Sequence, residues 1–206
     1  MCIRFIKYGF SKYSIALLDM EMAHEAIVNG ADECIFITEH DALYSAGKSF
    51  EPKDFVEIPD APIYYPNRGG RVTVHAPGQL VVYPIINLRK HKINISKYVC
   101  ILENLIISIL KKFNICGIIT DKGKGVWVDN CKIGFIGIGV KSGVTSHGFC
   151  INISNDLNMF NKIIPCGIDE VKITSISEIL GCQVNMDCVI QHLLECLPNA
   201  KIQIES

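Results

Sequence analysis

The triplet Pro165-Cys166-Gly167 is a place where a cysteine thiol could do chemistry. Proline restricts φ on one side of the cysteine and glycine frees the backbone on the other, which predicts a constrained turn with a partly exposed thiol. A thiol reacts as the thiolate, and a nearby cation favours that form. Beside a lysine, Cys166 would be a nucleophile; without one it would be one more semi-buried thiol among the chain's ten cysteines.

Lys132 opens an unusual strand. The next seven residues, Ile133-Gly134-Phe135-Ile136-Gly137-Ile138-Gly139, are apolar with a glycine at every second or third place. Glycine weakens a strand, so its repeated use indicates close approach of something such as an acyl chain or another backbone. A solvated lysine at the end of a hairpin would explain Lys132 as well. His147-Gly148 ends this region, and a lone histidine is more often structural than catalytic.

A third segment begins at Arg68-Gly69-Gly70-Arg71 and continues to His75-Ala76-Pro77-Gly78-Gln79. Two consecutive glycines permit backbone conformations, and a close approach of ligand, that a Cβ atom would block. A tight turn before a strand accounts for most such pairs. It does not explain why two of the chain's four arginines flank this pair. At this point a turn and a ligand-lining loop both remain open.

Length and composition indicate one large domain spanning residues 1–206. The chain has 206 residues, of which 49% are hydrophobic and 20% charged, as in ordinary globular proteins. A domain of this length builds its core without disulfides or metal. The net charge of −1 argues against a nucleic-acid-binding protein, which normally carries a basic excess.

The cysteines favour a reducing compartment. Charged residues interrupt the N-terminus before a signal peptide's apolar region can form, and no uncharged stretch is suitable for a membrane span. The closest cysteines, Cys182 and Cys188, are too far apart for the CxxC spacing of structural zinc sites, so no metal is expected. We therefore expect a cytoplasmic protein with free thiols, in which the nine cysteines other than Cys166 are small apolar filler.

The elements that must position these segments follow from hydrophobic spacing. Helices are predicted at Ile15–Val28, at Tyr98–Phe113 with Ser96 as N-cap, near Ser175–Leu180 and near Met186–Leu197. Strands are predicted at Cys34–Thr38, at Phe55–Ile58, on either side of Pro77-Gly78 between Arg68 and Leu88, at Val126–Val128, at Lys132–Val140 and at Gly148–Ile153. Strands in clusters with helices between them indicate a mixed α/β or α+β domain.

Taken in this order, the three segments resemble the octanoyltransferases of lipoate biosynthesis, also called lipoyl(octanoyl) transferases. That family carries the signature Arg-Gly-Gly-x-x-x-x-His-x-Pro-Gly-Gln-x-x-x-Tyr-Pro. The chain matches it at Arg68, Gly69, Gly70, His75, Pro77, Gly78, Gln79, Tyr83 and Pro84. Further matches are His40 to Gly47, Gly125 to Val128 and His147-Gly148-Phe149. The family commonly has a basic residue at the position of Gly139, for which Lys141 is a candidate substitute.

The resemblance implies a single domain with a mixed β-sheet flanked by helices, like the catalytic module of biotin and lipoate ligases. It implies transfer of octanoyl from acyl carrier protein to a lysine of a lipoyl domain, either in a 2-oxoacid dehydrogenase or in the glycine cleavage H protein, through a cysteine thioester and without a cofactor. Cys166 and Lys132 match the family's catalytic residues. Its substrate-binding positions correspond to Arg68, Gly69, Gly70, Arg71, Val72, Thr73, Val74, His75, Phe135, Ile136, Gly137, Gly148, Phe149 and Cys150.

Three further hypotheses accompany this reading. The cluster Arg89-Lys90-His91-Lys92 is either a docking surface for acidic partner proteins or a solvated loop. An ATP-dependent lipoate or biotin ligase would share the fold but needs no cysteine nucleophile, and the chain shows no Walker-type loop. A non-catalytic acyl-binding relative would keep the pocket without needing both Cys166 and Lys132.

Overall fold

The computed structural model describes residues 3–168 and 171–197, and in these residues ten strands and four helices form. The strands are β1 (Arg4–Phe10), β2 (Cys34–Glu39), β3 (Leu43–Ala46), β4 (Ile63–Tyr64), β5 (Val72–His75), β6 (Gln79–Ile85), β7 (Val126–Val128), β8 (Cys131–Lys141), β9 (Val144–Asn152) and β10 (Lys172–Ile173). The helices are α1 (Tyr13–Val28), α2 (Ile95–Lys111), α3 (Ile176–Leu180) and α4 (Met186–Cys196).

The strands form a large mixed sheet and a small sheet. The large sheet has the order β1-β2-β6-β9-β8-β10, with β7 also paired to β8, and its β1–β2 and β8–β10 pairs are parallel. The small sheet has the order β4-β3-β5. This architecture confirms the predicted mixed α/β class.

Apolar clusters cover both faces of the large sheet, and strand β6 contributes side chains to each of them. Val82 belongs to the apolar cluster that the sheet forms with α2 and α4, whereas Val81 belongs to the cluster formed with α1 and the small sheet. Because successive side chains of a strand point to opposite faces, a strand buried on both sides is apolar throughout. This explains the continuous apolar run in β6.

The hairpin of β8 and β9 carries the glycine-bearing strand. The two strands are paired without a shift from Gly134↔Ile151 to Lys141↔Val144. Strand β9 therefore begins at Val144, earlier than the predicted start at Gly148. The hairpin is the longest regular pairing in the described part of the chain. Its regular pairing fixes the positions of the side chains that project from it.

Two predicted details are wrong. Phe55–Ile58 is not a strand, because only Phe55 pairs, in an isolated bridge to Ile163. The N-cap of α2 is Asn94 rather than Ser96: the Asn94 side chain accepts a 2.8 Å hydrogen bond from the amide of Lys97. Among the described residues, no helix combines the length and apolar character needed to cross a membrane.

Candidate active site

A cavity, here called the central cavity, lies between strand β5 of the small sheet and the β8–β9 hairpin of the large sheet. It is closed by the start of α1 and by the turn that carries Cys166. Its lining residues are Tyr13, Arg68, Gly70, Arg71, Val72, Thr73, His75, Tyr83, Phe135, Ile136, Gly137, His147, Gly148, Phe149, Cys150 and Cys166.

Cys166 occupies the tight turn that the Pro/Gly neighbours predict. Residues Pro165–Gly167 form a single 3₁₀ turn, in which the Gly167 amide donates to the carbonyl of Ile164. Cys166 has φ 58° and ψ 14°, in the left-handed region that non-glycine residues seldom adopt. Its side chain is partly exposed and faces the central cavity. Such backbone strain is typical of functional sites, where the surroundings must hold it in place.

An ion pair supports this turn from outside. The Arg71 guanidinium contacts both carboxylate oxygens of the buried Asp54, at 2.6 and 3.0 Å, and lies 3.2 Å from the carboxylate of Glu51. The backbone carbonyl of Asp54 accepts a 2.7 Å hydrogen bond from the amide of Ile164. A Cβ atom on Gly167 would approach Arg71 Nε within 2.7 Å. Arg71 thus packs directly against the backbone of the cysteine turn.

Lys132 is completely buried, which excludes the solvated alternative. Its ammonium nitrogen donates a 2.6 Å hydrogen bond to the carbonyl oxygen of Lys124. The same nitrogen lies 5.2 Å from the centre of the Trp127 ring and 5.4 Å from that of Phe135, within cation–π range. Among the described residues no carboxylate forms an ion pair with it. In the part of the chain that the structure describes, the side chain is therefore held by a carbonyl dipole and two ring faces.

Cys150 is a second cysteine in the wall of the central cavity. It faces Phe135 across the β8–β9 ladder and lines the central cavity with Cys166. Burial raises the pKa of the Cys150 thiol to about 12, and the charges of Arg68, Cys166 and Lys132 also act on it. Cys150 is therefore a buried, neutral thiol in the cavity wall.

Arg68 organises the glycine loop from within. Its guanidinium donates to the Ser45 hydroxyl at 3.1 Å and to the carbonyls of Gly69 and Arg71 at 2.8 and 3.2 Å. A Cβ atom on Gly137 would lie 3.0 Å from Arg68 Cδ, so this glycine lets the arginine cross the strand. The close approach predicted for the glycine-bearing strand is made here by a side chain of the protein itself. Arg68 is therefore a positioning residue for the cavity wall.

The other strand glycines also make room for protein atoms. A Cβ atom on Gly134 would lie 3.0 Å from Ile106 of α2, and one on Gly139 would lie 2.7 Å from the carbonyl oxygen of Asn67. The position of Gly139 is thus closed by the loop that precedes Arg68. Lys141, the candidate substitute for a basic residue there, is exposed near the hairpin turn.

Two histidines of the cavity are neutral. Burial lowers the pKa of His75 to about 3, and burial beside Arg68 lowers that of His147 to about 3. Gln79 donates its amide hydrogens to the Val74 carbonyl and to Asn152, so its oxygen accepts a 2.7 Å hydrogen bond from His75 Nδ1. This fixes the tautomer and leaves His75 Nε2 as an acceptor.

The walls combine apolar surface with one free polar group. The Thr73 hydroxyl is buried, and among the described residues it has no hydrogen-bond partner. A buried polar atom without a partner is costly unless a ligand satisfies it. The cavity has a volume of about 40 Å³; it presents apolar surface beside the Cys166 thiol, and the Thr73 hydroxyl offers a hydrogen bond to a polar atom of a ligand.

Most, but not all, of the residues indicated by the sequence come together here. Lys132, Gly69 and Val74 do not line the cavity: Lys132 is buried beside Trp127 and Phe135, the Gly69 amide donates to the Ile138 carbonyl, and Val74 is buried in the core. Tyr13, Tyr83 and His147, to which the sequence assigns no role in the site, do line it. Tyr83 and His147 belong to the matched motifs, so the signal was present. Tyr13 lies at the start of a helix and has no such signal.

Two other expectations change. Of the cysteines expected to be apolar filler, Cys34, Cys150 and Cys196 are buried, but Cys116, Cys182 and Cys188 are exposed and Cys100 and Cys131 partly so; Cys2 lies outside the described residues. In the basic cluster, the His91 ring is buried and lies 2.7 Å from the carboxylate of Glu33. A docking surface there would consist of the exposed Arg89, Lys90 and Lys92.

Comparison with known proteins gives concordant results. Residues 13–198 match the family model of the lipoyl protein ligase A/B catalytic domain. The octanoyltransferase of Persephonella marina is 36% identical over 185 residues, covering 89% of this chain and 91% of the relative. The octanoyltransferase of Rickettsia peacockii is 39% identical over 202 residues, covering 92% and 96%.

Solved structures show the same fold at low sequence identity. A bipartite lipoate protein ligase from Thermoplasma acidophilum superposes with a TM-score of 0.72 at 13% identity, over 97% of this chain and 84% of that one. The biotin protein ligase of Aquifex aeolicus, in complex with biotin and ATP, gives 0.59 at 15% identity, over 99% and 72%. These likenesses confirm the expected architecture.

Proposed function

The chain belongs to the lipoyl protein ligase A/B catalytic domain family, in which its relatives at 36–39% identity are octanoyltransferases, and it is an acyltransferase. We propose that it transfers an octanoyl group from octanoyl-acyl carrier protein to a lysine of a lipoyl domain. In this proposal the acyl group is carried between them as a thioester on Cys166.

The observation that carries the proposal is a strained, partly exposed thiol at the cavity together with a buried lysine beside Phe135, one of the residues that line the cavity. Cys166 faces the cavity, and the ammonium nitrogen of Lys132 lies 5.4 Å from the ring centre of Phe135, which lines the cavity. Methylenes of an acyl chain gain about 0.8 kcal/mol each when buried. A cavity with these walls therefore favours an acyl tail with its carbonyl at the cysteine end.

In the first half-reaction, the Cys166 thiolate attacks the thioester carbonyl carbon of the donor. The new bond joins the Cys166 sulfur to the acyl carbon, and the bond between that carbon and the pantetheine sulfur breaks. The leaving thiolate takes a proton from the Lys132 ammonium, which leaves Lys132 neutral. One thioester replaces another, so this step is nearly isoenergetic and needs no ATP.

In the second half-reaction, the amine of the acceptor lysine attacks the acyl-enzyme. The carbon–nitrogen bond forms, the carbon–sulfur bond to Cys166 breaks, and the amine proton passes to the neutral Lys132. This restores the thiolate and the ammonium group. An amide is more stable than a thioester, which makes the step downhill.

The acceptors we propose are lipoyl domains of 2-oxoacid dehydrogenases and the glycine cleavage H protein. The Thermoplasma acidophilum ligase, which shares the fold, was described together with its E2 lipoyl domain. The exposed Arg89, Lys90 and Lys92 are the surface we propose for acidic partner proteins, because opposite charge increases the rate of encounter.

A reconstituted transfer assay tests this function against the ligase alternative. Purified protein, octanoyl-acyl carrier protein and an apo lipoyl domain are mixed without ATP, and the mass of the lipoyl domain is followed. We expect one octanoyl group to be added. If octanoylation instead required free octanoate and ATP, the chain would be a ligase and the proposal would be wrong.

A further inference from the structure

A second cavity, here called the helix cleft, lies beside the central cavity between α1 and the turn end of the β8–β9 hairpin. Its volume is about 610 Å³. Its lining residues are Leu17, Leu18, Met20, Glu21, Met22, His24, Glu25, Tyr65, Pro66, Asn67, Lys141, Ser146 and His147. Among the described residues, His147 alone lines both cavities.

His147 is held firmly in this shared wall. Its backbone amide donates to the sulfur of the buried Met20 at 2.9 Å. Its ring meets the Tyr83 ring edge to face, with the centroids 6.0 Å apart. The residue has φ 56°, a left-handed conformation, and it is still paired with Ile138 in the unshifted β8–β9 ladder. Met20 and His147 thus form a partition between the helix cleft and the central cavity.

The stretch of β9 that lines the central cavity, from Cys150 to His147, has a length similar to that of the proposed acyl group. In the hairpin, Cys150 is opposite Phe135, and His147, at the partition, is opposite Ile138. Three residues of strand span about 10 Å at roughly 3.3 Å each. An extended eight-carbon acyl chain has a similar length.

We propose that His147, backed by Met20, ends the acyl cavity and sets the upper limit of chain length near eight carbons. The inference rests on the proposed octanoyl transfer and adds a specificity determinant to it. Removing the imidazole would join the central cavity to the helix cleft. The cleft walls include Leu17 and Met22, so additional methylenes would find apolar contacts there.

The test is the chain-length profile of acyl-enzyme formation. Wild type, His147→Gly and Met20→Ala are each incubated with acyl carrier protein that bears octanoyl, decanoyl or dodecanoyl, and adducts are followed by intact mass. Glycine suits the left-handed backbone at position 147. We expect the dodecanoyl-to-octanoyl rate ratio to rise at least about tenfold in His147→Gly, in keeping with the usual cost of misfitted methylenes, and to rise less in Met20→Ala.

Met22→Ala is the matched control, because Met22 lines the cleft beyond the partition and is largely exposed. It should keep the wild-type profile.

If wild type forms an octanoyl adduct but neither partition variant shifts the ratio, the inference is wrong and the proposed function stands. A folded His147→Gly that is inactive with every chain would also overturn the inference, because it would place His147 in the chemistry. If His147→Gly does not fold, Met20→Ala decides by the same ratio. A wild-type protein that forms no octanoyl adduct contradicts both proposals.

Discussion

Gly125 leaves the space through which the Lys132 side chain passes. A Cβ atom on Gly125 would lie 2.9 Å from Lys132 Cε, and it would lie closer still to the carbonyl oxygen of Gly134. Gly125 has φ +123°, and its amide donates a 3.2 Å hydrogen bond to the carboxylate of the buried Glu103 on α2. The loop over the lysine is thus anchored to the helix, and the smallest residue stands where the lysine crosses it.

Gly125→Ala should therefore slow acyl-enzyme formation by displacing Lys132. A catalytic group misplaced by about 1 Å typically costs on the order of 100-fold. Gly30→Ala is the matched control, since Gly30 has φ +98° but no atom within 4 Å of its Cβ position. Both variants carry backbone strain, and only the first disturbs the lysine. Equal adduct rates for the two variants would show that Lys132 does not need this space.

Lys132→Ala should slow adduct formation at neutral pH by about 10²- to 10⁴-fold, the usual contribution of a general acid–base group. The variant's rate should rise steeply with pH, because hydroxide then removes the thiol proton. Lys124→Ala is the control: Lys124 is exposed, and Lys132 uses only its backbone carbonyl, which the variant keeps. A Lys132→Ala protein as fast as Lys124→Ala at pH 7 would remove Lys132 from the mechanism.

Asp54→Asn should loosen the turn of Cys166. The buried Asp54 carboxylate pairs with Arg71, which packs on Gly167, so its neutralisation removes a charged partner that lies 2.6 Å from the guanidinium. We expect a loss of about 2 kcal/mol in the free energy of unfolding, and slower acylation. Denaturant titration measures the first and intact mass the second. Glu51→Gln, which removes the more exposed partner of Arg71, should change both little; a loss as large as that of Asp54→Asn would contradict the argument.

The stability of the protein should fall as the pH decreases from about 6.5 to about 3. The pKa of His75 is about 3 in the fold, against 6.5 in an unpaired histidine, so the unfolded chain binds a proton in this window and the folded chain does not. The loss is about 1.4 kcal/mol per pH unit for each such histidine. Urea titrations between pH 7 and pH 4 should give a flatter pH dependence for His75→Asn than for wild type. Parallel curves would show that His75 is protonated in the fold.

The sequence predicts those elements whose own pattern is strong. The apolar stripe of α2 and the turn of the β7–β8 hairpin are local signals, and both elements form. Strand β3 is only four residues long and buried throughout, so it shows no alternation. Strand β1 lies at the edge of the sheet and pairs in parallel with β2. Its residues Phe5 and Phe10 are apolar but exposed, so its sequence lacks the alternation that would predict a half-buried strand. Such elements are set by their partners.

The candidate site divides in the same way. Pro165 and Gly167, the immediate neighbours of Cys166, predict its turn, and the matched motifs indicate Lys132. The support of that turn by Asp54 and Arg71 joins residues 17 apart, and the burial of Lys132 under Trp127 depends on how a loop folds over a hairpin. Neither residue pair has a sequence spacing that marks it. The chemistry is therefore readable from the sequence, and the way it is positioned is not.

The central claim is that Cys166 carries the acyl group. Wild type and Cys166→Ser are incubated with octanoyl-acyl carrier protein, and each is measured by intact mass and peptide mapping. The account predicts a single octanoyl group on wild type, located in the peptide that contains Cys166, and none on Cys166→Ser. An octanoyl adduct that persists in Cys166→Ser, or that maps to another cysteine such as Cys150, would contradict it.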